Sequence, residues 1–252
     1  MDTETFVERL DDRLDTAAYA DLDASANGLQ VAGPDKIDHA AFAVDAAIET
    51  AERAADADAD ALVVHHGLFW GEFERATGSI HDRLTPFFEH DMALYVAHLP
   101  LDGHQELGNA AGIVGALSLD DREPFGALGD EYIGQSGRAS PFAPEKLHDR
   151  LVTECDPENG VTALEFGPDE IEDVAIATGA AADWFDEAVE RGADAFVTGE
   201  GKQKLYHEAR EAGVHVYLAG HYATETFGVR SLQSLAEEWE VETTFIDCPT
   251  GL

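Results

Sequence analysis

Basic residues are scarce in this sequence. Its 252 residues include only 15 Lys and Arg against 52 Asp and Glu, which gives a formal net charge of -37 at pH 7. Contacts to nucleic-acid phosphates need clusters of Lys and Arg, so this composition argues against a nucleic-acid partner. Self-repulsion at such a charge is relieved in molar salt, where the Debye length is about 3 Å. The charge therefore predicts a halophilic protein from a salt-adapted organism.

Cysteine and long apolar runs are also rare. The two cysteines, Cys155 and Cys248, stand far apart and outside any CxxC motif, so neither a disulfide framework nor a thiolate metal site is indicated. No stretch reaches the roughly 18 apolar residues of a membrane span. The acidic N-terminus lacks the basic and apolar regions of a signal peptide. We therefore expect a cytoplasmic protein without membrane contact.

What the chain does contain is an alternation of short apolar runs with Ala-rich amphipathic segments. This alternation predicts βαβ units, and hence an α/β fold with mostly parallel sheets and layered helices. Phe6, Leu10 and Leu14 recur at helical spacing and predict an N-terminal helix. The predicted strands are residues 40–44, 61–64, 94–97, 174–177, 195–198 and 214–219.

Part of the sequence is repeated. Residues 37–67 align without a gap on residues 171–201, at a constant offset of 134, which indicates a duplicated strand-helix-strand unit. We predict one intertwined, two-lobed domain over residues 1–252. Its first repeat is 1–119 and its second is 169–252. Residues 120–168 are richer in Gly and Pro and are expected to link the repeats with strands or a hairpin of their own.

Two adjacent histidines, His65 and His66, directly follow the predicted strand 61–64. The carboxyl ends of parallel strands form the binding crevices of open α/β sheets. Adjacent side chains of a strand point to opposite faces. Both imidazoles can therefore serve one site only if the chain turns or if two metals lie side by side. We expect Gly67 to permit such a turn.

Two further strand ends carry a His-x-x-x-acid pair. Asp102 closes the motif HLPLD, in which Pro100 is expected to end the strand and help expose the carboxylate. His221 and Glu225 stand four apart at the start of a predicted helix, which places both on one helix face. Together with the adjacent histidines they predict two divalent ions, Zn, Fe, Mn, Co or Ni, that share a bridging carboxylate. Such a pair of ions supports hydrolysis.

Glu200 and His98 are secondary candidates. In the repeat alignment Glu200 takes the place of the second adjacent histidine, where it would orient a ligand or transfer a proton; a helix cap or solvated residue is an equal alternative. His98 precedes Asp102 by four residues and has similar roles open to it. Phe69 and Trp70 are candidates for the wall of a pocket for a planar ring, although buried core aromatics are the more common case. The remaining histidines are expected to be ordinary surface or hydrogen-bonded residues.

Several motifs in the same order resemble the NIF-three-like family, and within it the short bacterial-type branch named GTP cyclohydrolase I type 2 homolog. They are ANGLQV, VVHHGLFW, AHLPLDGHQELGN, TGEGKQ, HEAREAGVHVYLAGHYATE and TFIDCP. The resemblance implies two intertwined α/β repeats, a dinuclear metal site in the cleft between them, and a homohexameric ring of dimers. By motif it assigns the metal ligands His65, His66, Asp102, His221 and Glu225. Where this chain has GHYATE, close relatives have GHHATE, so Tyr222 removes a possible extra histidine.

Two functions remain open at this point. The first is a dinuclear-metal-dependent hydrolase that acts on a small molecule, a nucleotide or related heterocycle. The cyclohydrolase name supports this function only weakly, because authentic GTP cyclohydrolase sites use a cysteine, and neither cysteine here lies in a motif. The second function is a non-catalytic metal-binding or metal-delivery protein that forms a ring assembly. The sequence leaves the substrate, the metal and the bridging carboxylate undetermined.

Overall fold

A computed structural model describes residues 1–71 and 75–252 of the chain. Short 3-10 helices at Thr16–Tyr19 and Ala182–Trp184 accompany the main elements. In chain order these are α1 (Thr3–Leu14), β1 (Gly28–Val31), β2 (His39–Asp45), α2 (Ile48–Asp56), β3 (Ala61–His66), α3 (Ser79–Glu89), β4 (Ala93–Val96), α4 (Leu99–Asp102), α5 (Asn109–Ala116), β5 (Asp120–Leu128), β6 (Glu131–Phe142), α6 (Pro144–Cys155), β7 (Thr162–Leu164), β8 (Ile171–Ile176), α7 (Phe185–Glu190), β9 (Ala195–Thr198), α8 (Leu205–Ala212), β10 (His215–Leu218), α9 (His221–Glu238) and β11 (Glu242–Phe245).

The chain forms two compact units and passes from one to the other three times. The first unit contains Met1–Leu101 and Val229–Cys248, and the second contains Asp102–Gly228 and Pro249–Leu252. The segment 120–168, which we expected to link the repeats, lies in the second unit, where β5 and β6 form an antiparallel hairpin. The two α/β units are therefore intertwined along the sequence.

The first unit is built on a five-stranded sheet with the order β1-β4-β3-β2-β11. Its strands β4, β3, β2 and β11 are parallel, and the edge strand β1 is antiparallel to β4. β2 and β3 are buried along almost their whole length, as expected for central parallel strands that are covered on both faces. Helix α1 buries the three apolar residues whose spacing predicted it. One core of this unit includes Leu62, Val64, Phe87, Met92 and Leu94.

The second unit is built on a six-stranded sheet with the order β5-β6-β8-β9-β10-β7. β8, β9 and β10 are parallel, whereas β5, β6 and β7 join the sheet by antiparallel pairing. Its core lies between this sheet and helices α5 and α6, and it includes Ile113, Leu147, Leu151, Val174 and Tyr217. The parallel strands thus form the centre of the sheet, and the antiparallel strands extend it.

Equivalent hydrogen bonds confirm that the strand-helix-strand unit is duplicated. In the first unit Asp60 Oδ2 accepts from two backbone N–H groups at the start of β2, at 2.8 and 3.0 Å. In the second unit Asp194 Oδ2 accepts from two backbone N–H groups near the start of β8, at 2.8 and 3.1 Å. The pairing register of β2 with β3 is repeated by β8 with β9 at the same offset of 134 residues. The repeat therefore extends from the sequence to the hydrogen bonds that hold the strands.

The six strands predicted from the sequence are present as β2, β3, β4, β8, β9 and β10, with bounds that differ by up to three residues. The sequence did not predict β1, β7 and β11, which are edge strands of their sheets. Their side chains are partly exposed, so they show no continuous apolar run. None of the described helices is both long and apolar enough to cross a membrane.

Candidate metal centre

In the first unit, three histidines gather at the carboxyl ends of β3 and β4. His65, His66 and His98 each offer one ring nitrogen, and these nitrogens lie within 4.8 Å of one another. The ring centroid of His65 is 4.6 Å from that of His66 and 5.1 Å from that of His98. These three residues are named the imidazole group. Nitrogen donors this close together can hold a metal cation.

Gly67 does not act as we expected from the sequence. Its φ is not in the left-handed region, so its conformational freedom does not make a turn after the adjacent histidines. A Cβ at this position would instead lie 2.6 Å from Gln30 Nε2 and 2.6 Å from Val96 Cγ2. Gln30 Oε1 accepts a hydrogen bond from the N–H of Leu68 at 2.9 Å. Glycine is therefore needed here for close packing.

Hydrogen-bond acceptors face the Nδ1 atom of each ring in the imidazole group. His65 Nδ1 lies 2.8 Å from the backbone carbonyl that follows β4. His66 Nδ1 lies 2.8 Å from Asp45 Oδ1, and His98 Nδ1 lies 2.9 Å from Asp23 Oδ1. Carbonyl and carboxylate oxygens only accept, so the proton of each neutral ring belongs on Nδ1 and the lone pair on Nε2. Metal-binding histidines have this arrangement, with the second nitrogen held by an acceptor.

Asp23 is held firmly beneath His98. Its carboxylate accepts from the side chain of Asn27 at 2.8 Å and from the backbone N–H of Ser25 at 2.9 Å. Burial raises the pKa of Asp23, but the hydrogen bond and charge of His98, with those two further hydrogen bonds, outweigh burial and lower the pKa to about 2. Asp23 is therefore ionised at neutral pH and can only accept.

Trp70 borders the imidazole group. Its ring packs edge-on against His98 with centroids 4.9 Å apart, and its Nε1 donates to the carbonyl of Gly67 at 3.0 Å. The side chain remains 45% exposed, so it is not a buried core aromatic. An exposed indole fixed in this way offers an aromatic surface beside the three histidines.

In the second unit, Asp102, His221 and Glu225 form a further group. His221 Nε2 lies 3.2 Å from Glu225 Oε1, as their spacing of four on a helix predicts. A carboxylate oxygen of Asp102 lies within 4.8 Å of one from Glu225. These three residues are named the carboxylate group. Oxygen and imidazole donors without thiolate suit the divalent transition metals.

Asp102 is positioned by buried hydrogen bonds. Its Oδ1 accepts from Asn109 Nδ2 at 2.8 Å and from Thr178 Oγ1 at 3.1 Å. Asn109 Oδ1 in turn accepts from the N–H of Gly228 at 2.8 Å. The expectation that Pro100 helps to expose this carboxylate is wrong, because Asp102 is only 8% exposed. The hydrogen bonds compensate for the loss of water around the charge.

His221 lies between two carboxylates. Its Nδ1 is 3.3 Å from Glu200 Oε1, and its Nε2 faces Glu225. Burial lowers the pKa of His221, but the hydrogen bonds and charges of Glu225 and Glu200 outweigh burial and raise the pKa to about 9. Glu200, a secondary candidate from the repeat alignment, thus faces His221 as Asp45 faces His66. A metal cation that binds through His221 would displace a proton.

Gly179 provides the space for the carboxylate group. Its φ is 60°, and a Cβ there would collide with Glu225 Oε1 and lie 3.0 Å from His221 Nε2. Only glycine combines this conformation with such a close approach.

Among the described residues, the histidines other than His65, His66, His98 and His221 belong to no cluster that could hold a metal. The chain therefore carries His, Asp and Glu groups whose chemistry fits a divalent metal ion.

Sequence reasoning missed the side chains that orient these donors. Asp23 lies 75 residues from His98, and Asp45 lies 21 residues from His66. Thr178 lies 76 residues from Asp102. In a chain with 52 acidic residues, no local pattern distinguishes the carboxylates that accept from a histidine.

The whole chain is similar to known proteins. A family described as Duf34/NIF3 (NGG1p interacting factor 3) matches residues 1–250. A protein of Halobacterium salinarum is 51% identical over 258 residues, with 100% of each chain covered. A protein of Pyrococcus abyssi is 41% identical, again with 100% of each chain covered. A protein of Escherichia coli K12 is 36% identical, with 95% of each chain covered. All three are named GTP cyclohydrolase 1 type 2 homolog.

Solved structures show the same similarity. The crystal structure of TTHA1606 from Thermus thermophilus has a TM-score of 0.92 and 35% sequence identity, with 100% of each chain covered. Reduced HcgD from Methanocaldococcus jannaschii has a TM-score of 0.83 and 24% identity, with 98% of each chain covered. At that identity the second similarity concerns the fold alone.

Proposed function

Because the chain belongs to the Duf34/NIF3 family, we propose that it is a metal-dependent protein of hydrolase type that acts on a nucleotide or related heterocycle. Its relatives' name, GTP cyclohydrolase 1 type 2 homolog, suggests this class of substrate. The proposed cofactor is two divalent metal ions, chosen from Zn, Fe, Mn, Co and Ni. The proposed ligands are His65, His66, Asp102, His221 and Glu225.

One observation carries this proposal: histidines of both groups present Nδ1 to an acidic side chain. The distance is 2.8 Å from His66 to Asp45 and 3.3 Å from His221 to Glu200. A carboxylate in this position fixes the ring and makes its other nitrogen a better donor. The exposed His81 also faces a carboxylate, that of Asp82, but among the described residues it belongs to no cluster that could hold a metal.

The residues around the proposed ligands would have separate roles in positioning the ligands and binding the substrate. Metal ions of this kind polarise a substrate oxygen and lower the pKa of a bound water. Asp45 and Glu200 hold the rings of His66 and His221, and Asn109 and Thr178 hold Asp102. The exposed ring of Trp70 offers a stacking surface for a planar heterocycle.

The test is hydrolysis of a panel of nucleotides, GTP included, by metal-loaded protein in molar salt. His66→Ala and Glu225→Ala remove one ligand from each group. His81→Ala is the control, because His81 is an exposed histidine paired with a neighbouring carboxylate, Asp82. We expect turnover by the wild type and the control, and a fall of about 100-fold or more in both ligand variants. Turnover that survives both ligand changes would refute the proposal.

Exposure of the donors supports a second candidate, a metal-binding or metal-delivery protein without turnover. The side chains of His66 and His221 are 20% and 26% exposed, so solvent can reach a ring of each group. In this candidate the ring of six copies, which the resemblance implies, would have a structural role and no catalytic one. This candidate predicts rapid transfer of the bound metal to a chelator or partner and no hydrolysis. Metal that resists chelators, together with any turnover, would contradict it.

A further inference from the structure

We propose that His98 is an additional metal ligand and that Asp23 is its positioning residue. This inference rests on the proposed metal centre and adds to it a donor from the first unit. His98 contacts the ring of His65, which the proposal already assigns as a ligand, and its Nδ1 is held by Asp23.

The geometry of the imidazole group carries the first step. Ring nitrogens of His65, His66 and His98 all lie within 4.8 Å of one another. Two nitrogens bound to one tetrahedral zinc, each about 2.05 Å from the metal, are separated by about 3.4 Å. The separations in the imidazole group exceed this value by about 1.4 Å at most, so His98 lies close enough to share a cation with a neighbour.

The duplication carries the second step. Strand β4, which precedes His98, is parallel to β3. Strand β10, which precedes His221, is parallel to β9 in the same way. The N–H of Ala97 donates to Val64 at 3.0 Å, and that of Ala219 donates to Thr198 at 2.9 Å. These bonds align Ala97 with Ala219, so His98 corresponds to Gly220, and His221 lies one residue further along its repeat. Both histidines nevertheless follow equivalent strand ends, and each is followed four residues later by an acid.

The support beneath His98 carries the third step. Its backbone N–H donates to Asn27 Oδ1 at 2.7 Å, and the N–H of Leu99 donates to Asp23 Oδ2 at 3.0 Å. Asp23 therefore holds both the ring of His98 and the backbone after it. Glu200 holds Nδ1 of His221 in the same way, although from a different part of its repeat. Both repeats thus present a histidine whose Nδ1 faces a carboxylate.

The number of protein ligands available to two ions also favours His98 as a ligand. The five ligands of the proposed function supply three protein donors to each of two ions only if one carboxylate bridges the ions. With His98 the chain supplies four imidazoles and two carboxylates, which is three donors for each of two ions. Three protein ligands plus an open position is the usual composition of a catalytic zinc site.

The test is titration of the metal-free full-length protein with Co²⁺, followed by visible absorption and by competition with a chelator. The variants are His98→Ala, His98→Gln and Asp23→Asn, and the control is His81→Ala. His98→Gln retains an amide that can donate to Asp23 but lacks the ring nitrogen. Asp23→Asn keeps the size of the side chain but removes the charged acceptor.

We expect the wild type and His81→Ala to bind two Co²⁺ per chain with the same absorption spectrum. Both His98 variants should bind one ion about 100-fold more weakly and show an altered spectrum, because a nitrogen donor is lost. Asp23→Asn should weaken binding about 10-fold at unchanged stoichiometry. Wild-type affinity and spectrum in His98→Gln would overturn the role of His98 alone. Failure of the wild type to bind Co²⁺ would overturn the metal centre, and the role of His98 with it.

Discussion

The two repeats carry different residues at equivalent strand ends. His65 and His66 of the first repeat correspond to Gly199 and Glu200 of the second. The strands that carry them have the same register and the same supporting hydrogen bonds. A Cβ on Gly199 would lie 2.7 Å from the Cα of His221, so that position cannot hold a side chain. The backbone has thus been repeated while the chemistry at the strand end has changed.

A second pair of equivalent positions shows the same difference. Asp45 in the first repeat accepts from His66, whereas its counterpart Gly179 leaves room for Glu225 and His221. The first repeat therefore presents imidazoles, and the second presents carboxylates with one imidazole. Duplication supplied the scaffold, and substitutions at a few strand-end positions supplied two different groups of donors.

The largest effect is expected from Gly179→Ala. Left-handed strain and the collision with Glu225 should together lower the free energy of unfolding by about 3 kcal/mol. Gly192→Ala is the matched control, because Gly192 has a φ of 77° and nothing within 4 Å of an added Cβ. That control should lose only about 1 kcal/mol. Denaturant unfolding measures both, and equal losses would contradict the packing described for Gly179.

A smaller and pH-dependent effect is expected from Asp23→Asn in metal-free protein. The pKa of Asp23 in the folded chain is about 2, below its value of 3.8 in the unfolded chain. Its contribution of roughly 2 kcal/mol is therefore fully present above about pH 4 and is lost as the pH falls towards 2. Unfolding of the wild type and the variant at several pH values measures this difference.

The matched change in the second repeat is Glu200→Gln. The side chain of Glu200 is 47% exposed, so water screens its interaction with His221 and the loss of stability should be smaller than that of Asp23→Asn. For Asp23→Asn, the difference from wild type in the free energy of unfolding should shrink between pH 6 and pH 2. A difference that stays constant over this range would show that the ion pair of Asp23 with His98 is not its cause.

The smallest effect is expected where the repeats are the same. Asp60→Ala and Asp194→Ala each remove a carboxylate that accepts from two backbone N–H groups. Each should lower the free energy of unfolding by about 1 kcal/mol, because these groups are half-buried and water replaces part of the loss. The exposed Glu52 gives the control, Glu52→Ala, which changes the charge alone. A loss in only one of the two variants would show that the shared hydrogen bonds do not contribute equally.

Much of the fold could be predicted from the sequence because its central strands are continuous apolar runs. The edge strands β1, β7 and β11 could not, because half-exposed strands have mixed composition. Of the candidate site, the pairs His65 with His66 and His221 with Glu225 could be predicted, since their spacing is local. The burial of Asp102 could not, because it depends on Asn109 and Thr178.

The sequence by itself determined the order of strands and helices, the repeat, and the kinds of donor at each strand end. These depend on residue type and on spacing within a few positions. Only the tertiary structure decided which acceptor meets each imidazole and where a glycine is required. Asp23 reaches His98 across 75 residues of chain, and a hydrogen bond of 2.9 Å depends on the whole path between them. Local propensity does not specify such a path.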